Sequence, residues 1–235
     1  MSNVKTRGPR EVIVPGDILD DGKLKAGENT YILNGEIRAS VLGVKRVRQN
    51  TVSILPLGGR YMPVTKDTVI GVIEDVRSSN WMVEIGAPYP APLHVSEVPW
   101  KVAFGDTSKY LNVGDVVMLK ILMVDDDLKI SMTMKDAGLR KLEGGRLVNI
   151  SHTKISRVIG KSGSMIQMIK TITDCRIFVG QNGVIWIDGE GKNADAAANA
   201  IKMIDDETVR ANLTARVKEY LEGEIPQEEE EEGDE

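Results

Sequence analysis

Short apolar runs alternate with turn residues over the first 65 residues. The runs are VIVPGDIL, NTYILNG, IRASVLGVKRV and TVSILPL, and they are separated by Pro-Gly-Asp, Asn-Gly and Gly-Gly. They are rich in β-branched residues, and no helical period runs through them. The pattern predicts a β-rich N-terminal domain over residues 1–65.

The next segment, residues 66–138, carries five further strand candidates. These are TVIGVIEDV, WMVEIGA, APLHVSEV, VVMLKILMV and LKISMTM, with little helical pattern between them. Five short strands in about seventy residues favour a small closed barrel over a sandwich. We therefore predict a five-stranded OB-type barrel here.

The pattern changes after a charged, glycine-bearing link at residues 135–146. RLVNIS is a strand candidate, apolar residues then recur at helical spacing on both sides of Gly-Lys-Ser-Gly, and CRIFV and VIWID flank a Gln-Asn-Gly turn. An alanine-rich helical stretch follows. The predicted order over residues 146–206 is β-α-α-β-β-α, with a further amphipathic helix at 207–221.

Charge is distributed unevenly along the chain. The net charge is -5, but residues 222–235 hold nine acidic residues and no basic one, so the rest of the chain carries +4. The three predicted domains carry +4 (1–65), -4 (66–138) and +4 (139–221). The tail lacks apolar residues to bury, so we predict that it is disordered. It either solubilises the chain or acts as a tether or mimic of nucleic acid.

Several classes of function are disfavoured by composition. With one cysteine, Cys175, and two histidines, the chain has no disulfide and no familiar metal-ligand spacing. The strongest apolar run, VVMLKILMV, is short and contains Lys120, and no basic-then-apolar leader opens the sequence. We predict a cytoplasmic, non-membrane protein with no cofactor and no metal.

The loop at 160–163 carries the most specific candidate chemistry. A nucleotide-binding phosphate loop needs Gly-x-x-x-x-Gly-Lys-Ser/Thr after a strand, because successive N–H groups curl around the phosphates. If Gly160, Lys161 and Ser162 ended such a loop, its first glycine would fall on Ile155. The preceding residues are also helical in period. The loop is therefore better interpreted as a clamp on a nucleic-acid backbone, with a simple tight helix connection as the alternative.

The stretch ISRVIGKSGSMIQMI resembles the KH domain signature, and the resemblance covers residues 146–206. It implies that Gly160, Lys161, Ser162 and Gly163 hold the backbone of a single strand, with Arg157 beside it. Ile159 and Ile166 would border the groove for unstacked bases.

The middle segment resembles the S-one-type OB barrel, an RNA-binding repeat. VIGVIEDV, MVEIGAP, PLHVSEV and LNVGDVVMLKILMVDDDLKISM match its strands in order. The resemblance implies base stacking at His94 and on the second strand at Trp81 or Met82. Trp81 shares a face with Val83 by period two, so a core position for Trp81 stays open, as does a packed His94.

Taken together, the three domains resemble the RNA-binding cap subunit of the exosome, the ribosomal-RNA-processing protein four type. VIVPGDIL and GGRYMPVTKDTVIGVIEDV resemble that family's joints between domains. The resemblance implies a non-catalytic subunit that feeds single-stranded RNA into a hexameric ring of RNase PH-like subunits. Three caps, alone or with other cap subunits, would sit on each ring, docked by the N-terminal domain.

Two other families combine a barrel with KH modules. A NusA-like transcription factor has two KH domains and a helical N-terminal domain, and polynucleotide phosphorylase has two large catalytic domains before its KH and barrel modules. This chain has a β-rich start, one KH pattern and the order barrel then KH. The basic stretch GVKRVRQN, residues 43–50, is able to contact either the ring or RNA, or to be a solvated strand edge.

Overall fold

The structure is a computed structural model that describes residues 12–125, 127–206 and 212–225. The chain divides into two compact units, residues 1–59 and 60–235, which are described separately below. The acidic residues 226–235, the greater part of the predicted disordered tail, lie outside the described residues.

The first unit is built from seven short strands. They are β1 (Val12–Ile13), β2 (Ile18–Asp20), β3 (Lys25–Ala26), β4 (Thr30–Leu33), β5 (Glu36–Ala39), β6 (Gly43–Arg48) and β7 (Thr51–Pro56). They form two sheets, β1-β6-β7-β3 and β2-β5-β4. A small core lies between them and is formed by Ile13, Leu19, Ile37, Ala39, Val52 and Ile54.

The second unit begins with a barrel. Its strands are β8 (Thr68–Val76), β9 (Asn80–Glu84), β10 (Ala91–His94), β11 (Val116–Val124) and β12 (Ile130–Thr133), and β13 (Arg140–Leu142) adds to β11. The sheet order is β10-β9-β8-β11-β12, and β10 packs beside β12, so the sheet is nearly closed. Alternating residues of each strand fill the interior, which confirms the predicted OB-type barrel.

A KH module completes the second unit. Its elements are β14 (Arg146–Asn149), α1 (Ile155–Ile159), α2 (Ser164–Thr173), β15 (Arg176–Val179), β16 (Val184–Asp188) and α3 (Gly191–Asp206). The sheet order is β14-β16-β15, and the helices cover one face over an apolar core. The observed order is the predicted β-α-α-β-β-α.

Helix α4 (Leu213–Glu224) follows and packs on the KH core through Leu213, Val217 and Leu221. It extends three residues past the predicted end at 221, into the predicted tail. Leu221 is fully buried and Lys218 pairs with Glu222 one turn on, so both the apolar anchor and the ion pair favour the extra residues. Within the described residues, no helix is long and apolar enough to span a membrane.

Asn182, in the turn between β15 and β16, fastens the KH module to the barrel. Its side chain accepts a hydrogen bond from the Ile70 N–H at 3.3 Å and donates to the carbonyls of Ile70 at 2.7 Å and Ile85 at 2.9 Å. The neighbouring Gln181 N–H donates to the Thr68 carbonyl at 2.8 Å. The pairing of β8 with β9 covers residues 72–76 of β8 and does not reach Ile70. The KH turn therefore supplies the hydrogen-bond partners that β9 does not offer to the backbone of Ile70.

Apolar side chains extend the same contact. Ile70, Met118 and Leu142 of the barrel form one buried cluster with Trp186 of β16. The Trp186 indole N–H donates to the Gly144 carbonyl at 2.9 Å. We call these contacts and those of Asn182 the barrel–KH joint, and they make the two modules one compact unit.

Two aromatic rings add to the contact between the modules. Tyr61, before β8, meets His152, after β14, with ring centroids 6.1 Å apart and nearly edge-on. The Tyr61 hydroxyl donates to a carboxylate oxygen of Asp67. Burial, and then Asp67, raise the pKa of Tyr61, while burial lowers the pKa of His152. Both changes favour the neutral forms of the two rings near neutral pH.

Candidate nucleic-acid interface

The outer face of β9 and β10 carries two of the predicted RNA-binding side chains. Met82 pairs across the strands with Pro92, and His94 pairs with Asn80. All four point away from the barrel interior, so Met82 and His94 lie diagonally to each other on one surface. The structure therefore brings together these two predicted residues.

His94 is exposed rather than packed in the core, and its ring is held in place. Its Nδ1 lies 3.1 Å from the Ser96 backbone nitrogen, which donates to it, and 2.8 Å from the Ser96 hydroxyl. Because Nδ1 accepts from a backbone N–H, the neutral ring carries its proton on Nε2, which faces outwards. This geometry offers a flat ring with an outward donor to a base.

Trp81 does not belong to this surface. It is 0% exposed, and its indole N–H donates to the Leu111 carbonyl at 3.1 Å inside the barrel. Its strand partner Leu93 is equally buried. The alternative position in the core is therefore the one observed, and Trp81 is removed from the candidate site because no face of its ring can meet a base.

Acidic residues limit how far this surface extends. Met82 also lines a cleft of about 360 Å³ together with three carboxylates and one cation, which are Glu74, Asp75, Glu84 and Arg77. Arg77 pairs with Asp75, so two carboxylates stay uncompensated in the cleft and repel a phosphate backbone. The His94 side of the surface is therefore the better candidate for RNA.

The Gly-Lys-Ser-Gly loop joins α1 to α2, as predicted, and its backbone needs both glycines. Gly160 has φ +76° and ψ -178°, and a Cβ there would lie 2.7 Å from the Met165 Cβ and N. Gly163 is left-handed at φ +82° and has open space around it. Lys161 and Ser162 are exposed between them.

The loop geometry suits a backbone clamp. The N-terminus of α2 has no side-chain cap and no acidic residue in its first turn, so no side chain offsets the partial positive charge at this helix end. Arg157 lies on α1, three residues before Gly160, and is partly exposed. Arg157 and the four loop residues thus form one candidate contact region on the KH module, separate from the barrel surface.

Sequence reasoning did not identify Asn182 as a structural anchor. Gln181-Asn182-Gly183 is a hairpin signal, and the turn is there, but Asn182 is only 7% exposed because its side chain bonds backbone groups of Ile70 and Ile85 on the barrel. Its partners are 112 and 97 residues away in the chain, so no local pattern contains them. Among the described residues, no cluster of metal-binding side chains occurs.

Three family models match the chain in the order seen in the structure. They are the exosome RNA-binding protein RRP4 N-terminal domain at residues 10–58, the S1 RNA-binding domain at 63–135 and the KH domain at 146–206.

Whole-chain relatives agree with the models. The exosome complex component Rrp4 of Methanosarcina mazei is 41% identical over 94% of this chain and 85% of its own length. That of Picrophilus torridus is 42% identical over 90% of this chain and 92% of its own. The chain belongs to the Rrp4 family.

A solved structure supports the Rrp4 assignment at the level of the fold. A crystal structure assigned to an exosome complex RNA-binding protein matches with a TM-score of 0.66 and 35% identity, covering 71% of this chain and 97% of that one. The resemblance found in the sequence is thereby confirmed, and the NusA-like alternative is not favoured.

Proposed function

We propose that this chain is a non-catalytic RNA-binding cap subunit of the exosome. It captures single-stranded RNA on its barrel and KH module and passes the 3′ end to a nuclease ring, for degradation or processing, in the cytoplasm. Membership of the Rrp4 family supports an RNA-binding role rather than an enzymatic one. The observation that carries the proposal is the exposed, oriented His94 on an S1 barrel that is joined rigidly to a KH clamp.

The N-terminal unit offers a surface for docking on the ring. Strand β4 is the edge of its sheet, and Tyr31, Ile32 and Leu33 on it are 40%, 65% and 47% exposed. An exposed apolar edge of this kind is typical of a surface that another protein covers. Arg46 and Arg48 at the exposed end of β6 add positive charge to the same unit, for the ring or for RNA.

Several weak RNA contacts in one assembly together give a high overall affinity for RNA. A barrel with a net charge of -4 is poorly suited to hold RNA alone. If three caps share one hexameric ring of RNase PH-like subunits, each further contact becomes intramolecular, and its effective concentration replaces intrinsic affinity. Cap subunits of another type would extend the same arrangement.

The assembly is tested by native mass spectrometry of complexes isolated from the source cell. We expect a ring mass carrying up to three copies of this chain, and an RNA affinity of the ring that rises when the chain is added. A chain that neither joins a ring nor changes its RNA affinity contradicts the proposal. Association with RNA polymerase without a ring supports the NusA-like alternative instead.

The barrel site is tested by replacing His94 with Ala in the full chain. Loss of one stacked base costs about 1–3 kcal/mol of RNA-binding free energy. Because His94 is exposed and its ring bonds only to Ser96, stability should fall by no more than the loss of one cap hydrogen bond, about 1 kcal/mol. Ser131→Ala, an exposed change on β12, is the matched control and should leave RNA affinity unaltered. Unchanged affinity in His94→Ala removes His94 from the site.

A further inference from the structure

Phe104 is the most exposed of the large apolar side chains described, at 86% of its surface. It lies between β10 and β11, at the tip of a turn closed by the Asp106 N–H donating to the Ala103 carbonyl at 3.0 Å. Gly105, at φ +85°, supplies the left-handed residue that this turn needs. Leaving a phenylalanine in water forfeits favourable burial, so the exposed ring is available to a ligand that covers it.

The turn that carries Phe104 is firmly anchored on the β8–β9 turn. The Gly105 N–H donates to the Ser78 carbonyl at 3.1 Å, and the Thr107 hydroxyl donates to the Arg77 carbonyl at 2.7 Å. At its base, Trp100 and Tyr110 stack with ring centroids 5.7 Å apart. Phe104 is therefore presented by an ordered support.

The same β8–β9 turn also positions His94. The Val95 N–H, directly after His94, donates to the Ser79 carbonyl at 3.0 Å, next to the Ser78 carbonyl that receives Gly105. Two residues that each precede a donor to consecutive carbonyls have their Cα atoms within roughly 15 Å of each other. His94 and Phe104 are thus two aromatic side chains at one end of the barrel.

Cations surround this end of the barrel. Arg77, Lys101 and Lys109 lie on the segments that meet at the β8–β9 turn. Arg77 pairs with Asp75 and Lys109 with Asp106, both at 2.9 Å, and both cations are more than half exposed. Exposed pairs of this kind contribute little, so these side chains can exchange a carboxylate for a phosphate.

We propose that Phe104 is a base-stacking residue that, with His94, forms a two-ring platform for single-stranded RNA at the β8–β9 turn. The inference rests on the proposed function and adds to it a residue outside the predicted site. Flat rings beside mobile cations match the chemistry of single-strand binding, in which bases stack and phosphates are neutralised. Two separate aromatic rings beside exposed cations suit bases better than a protein partner, which would need a broader apolar patch.

The test compares Phe104→Ala and Phe104→Leu with wild type, using the full chain and a single-stranded oligoribonucleotide of about ten nucleotides containing one 2-aminopurine. We expect both variants to bind roughly 5- to 30-fold more weakly, and the quenching of the fluorescent base to fall. Phe104→Leu keeps the apolar surface but removes the ring, so it separates stacking from apolar docking. Val113→Ala, on the same connection and 65% exposed, is the matched control and should bind as wild type.

Three results would overturn the proposal. Wild-type affinity in Phe104→Ala, with reduced affinity in His94→Ala, refutes the role of Phe104 and leaves the proposed function standing. A loss of ring association in Phe104→Ala, rescued by Phe104→Leu, assigns the side chain to a protein contact. No RNA binding by the wild-type chain, alone or on the ring, refutes the proposed function as well. Unchanged thermal unfolding in both variants is expected, because the side chain is exposed.

Discussion

Replacing Asn182 with Ala should weaken the joint between the barrel and the KH module. The change removes the acceptor for the Ile70 N–H and both donors to the Ile70 and Ile85 carbonyls. All three backbone groups are buried under the KH turn. Each lost hydrogen bond lowers the stability of the joint by about 1 kcal/mol, and a buried group left without any partner, including water, lowers it further. For three hydrogen bonds we expect a loss of about 3 kcal/mol. Water that enters the adjoining cleft of about 300 Å³ can bond the backbone groups that Asn182 no longer reaches, which keeps the loss from rising much above this value.

Hydrogen exchange measures this loss locally, without assuming that the whole chain unfolds in one step. If opening of the joint becomes easier by about 3 kcal/mol, the Ile70 amide should exchange roughly 100-fold faster. Asn182→Asp keeps an acceptor for the Ile70 N–H but turns a carboxylate towards two carbonyl oxygens. We expect it to be at least as destabilising as Ala at neutral pH.

Gln181→Ala is the matched control for this experiment. Gln181 is exposed and contributes only its backbone N–H to the joint, so its side chain should not matter. The reasoning is refuted if Asn182→Ala leaves the exchange of the Ile70 amide within a factor of about three of wild type, since that is less than one net hydrogen bond.

Two further predictions concern the other surfaces. Replacing Lys161 and Ser162 together by Asp should weaken RNA binding. It should also reduce the slope of log affinity against log salt by about one, because one phosphate contact is lost. An unchanged slope in a salt titration would remove the loop from the site. Ile32→Asp should abolish association with the ring, measured by native mass spectrometry, while the RNA affinity of the free chain stays the same. Leu128→Asp changes another exposed apolar residue, outside the N-terminal unit, and is the control.

The local elements were predictable because their signals are local. The period of 3.6 around the loop, and Ile155 where a phosphate loop needs glycine, placed a turn between two helices. Period two on the second barrel strand put Trp81 and Val83 on one face and Met82 on the other. The pattern could not say which face was inside, and the 0% exposure of Trp81 with its hydrogen bond to Leu111 decides it.

Contacts between distant segments were not predictable in this way. The Asn-Gly signal identified the turn that holds Asn182. The three backbone groups that bond its side chain belong to Ile70 and Ile85, about one hundred residues earlier in the chain. The exposure of Phe104 is likewise a consequence of two hydrogen bonds to a turn that begins 27 residues before it. Neither residue has a spacing that a single sequence can reveal.

The joint explains how a barrel of net charge -4 can serve in RNA capture. Charge averaged over the barrel is dominated by carboxylates such as Glu74 and Glu84, which lie around the cleft by Met82. The β8–β9 turn, which holds the segments of His94 and Phe104, is bordered by exposed cations, so local charge and not the total would decide the proposed contact. The joint to the KH module fixes the separation of the two proposed RNA sites, so a strand held at one would reach the other without the entropy cost of ordering a linker.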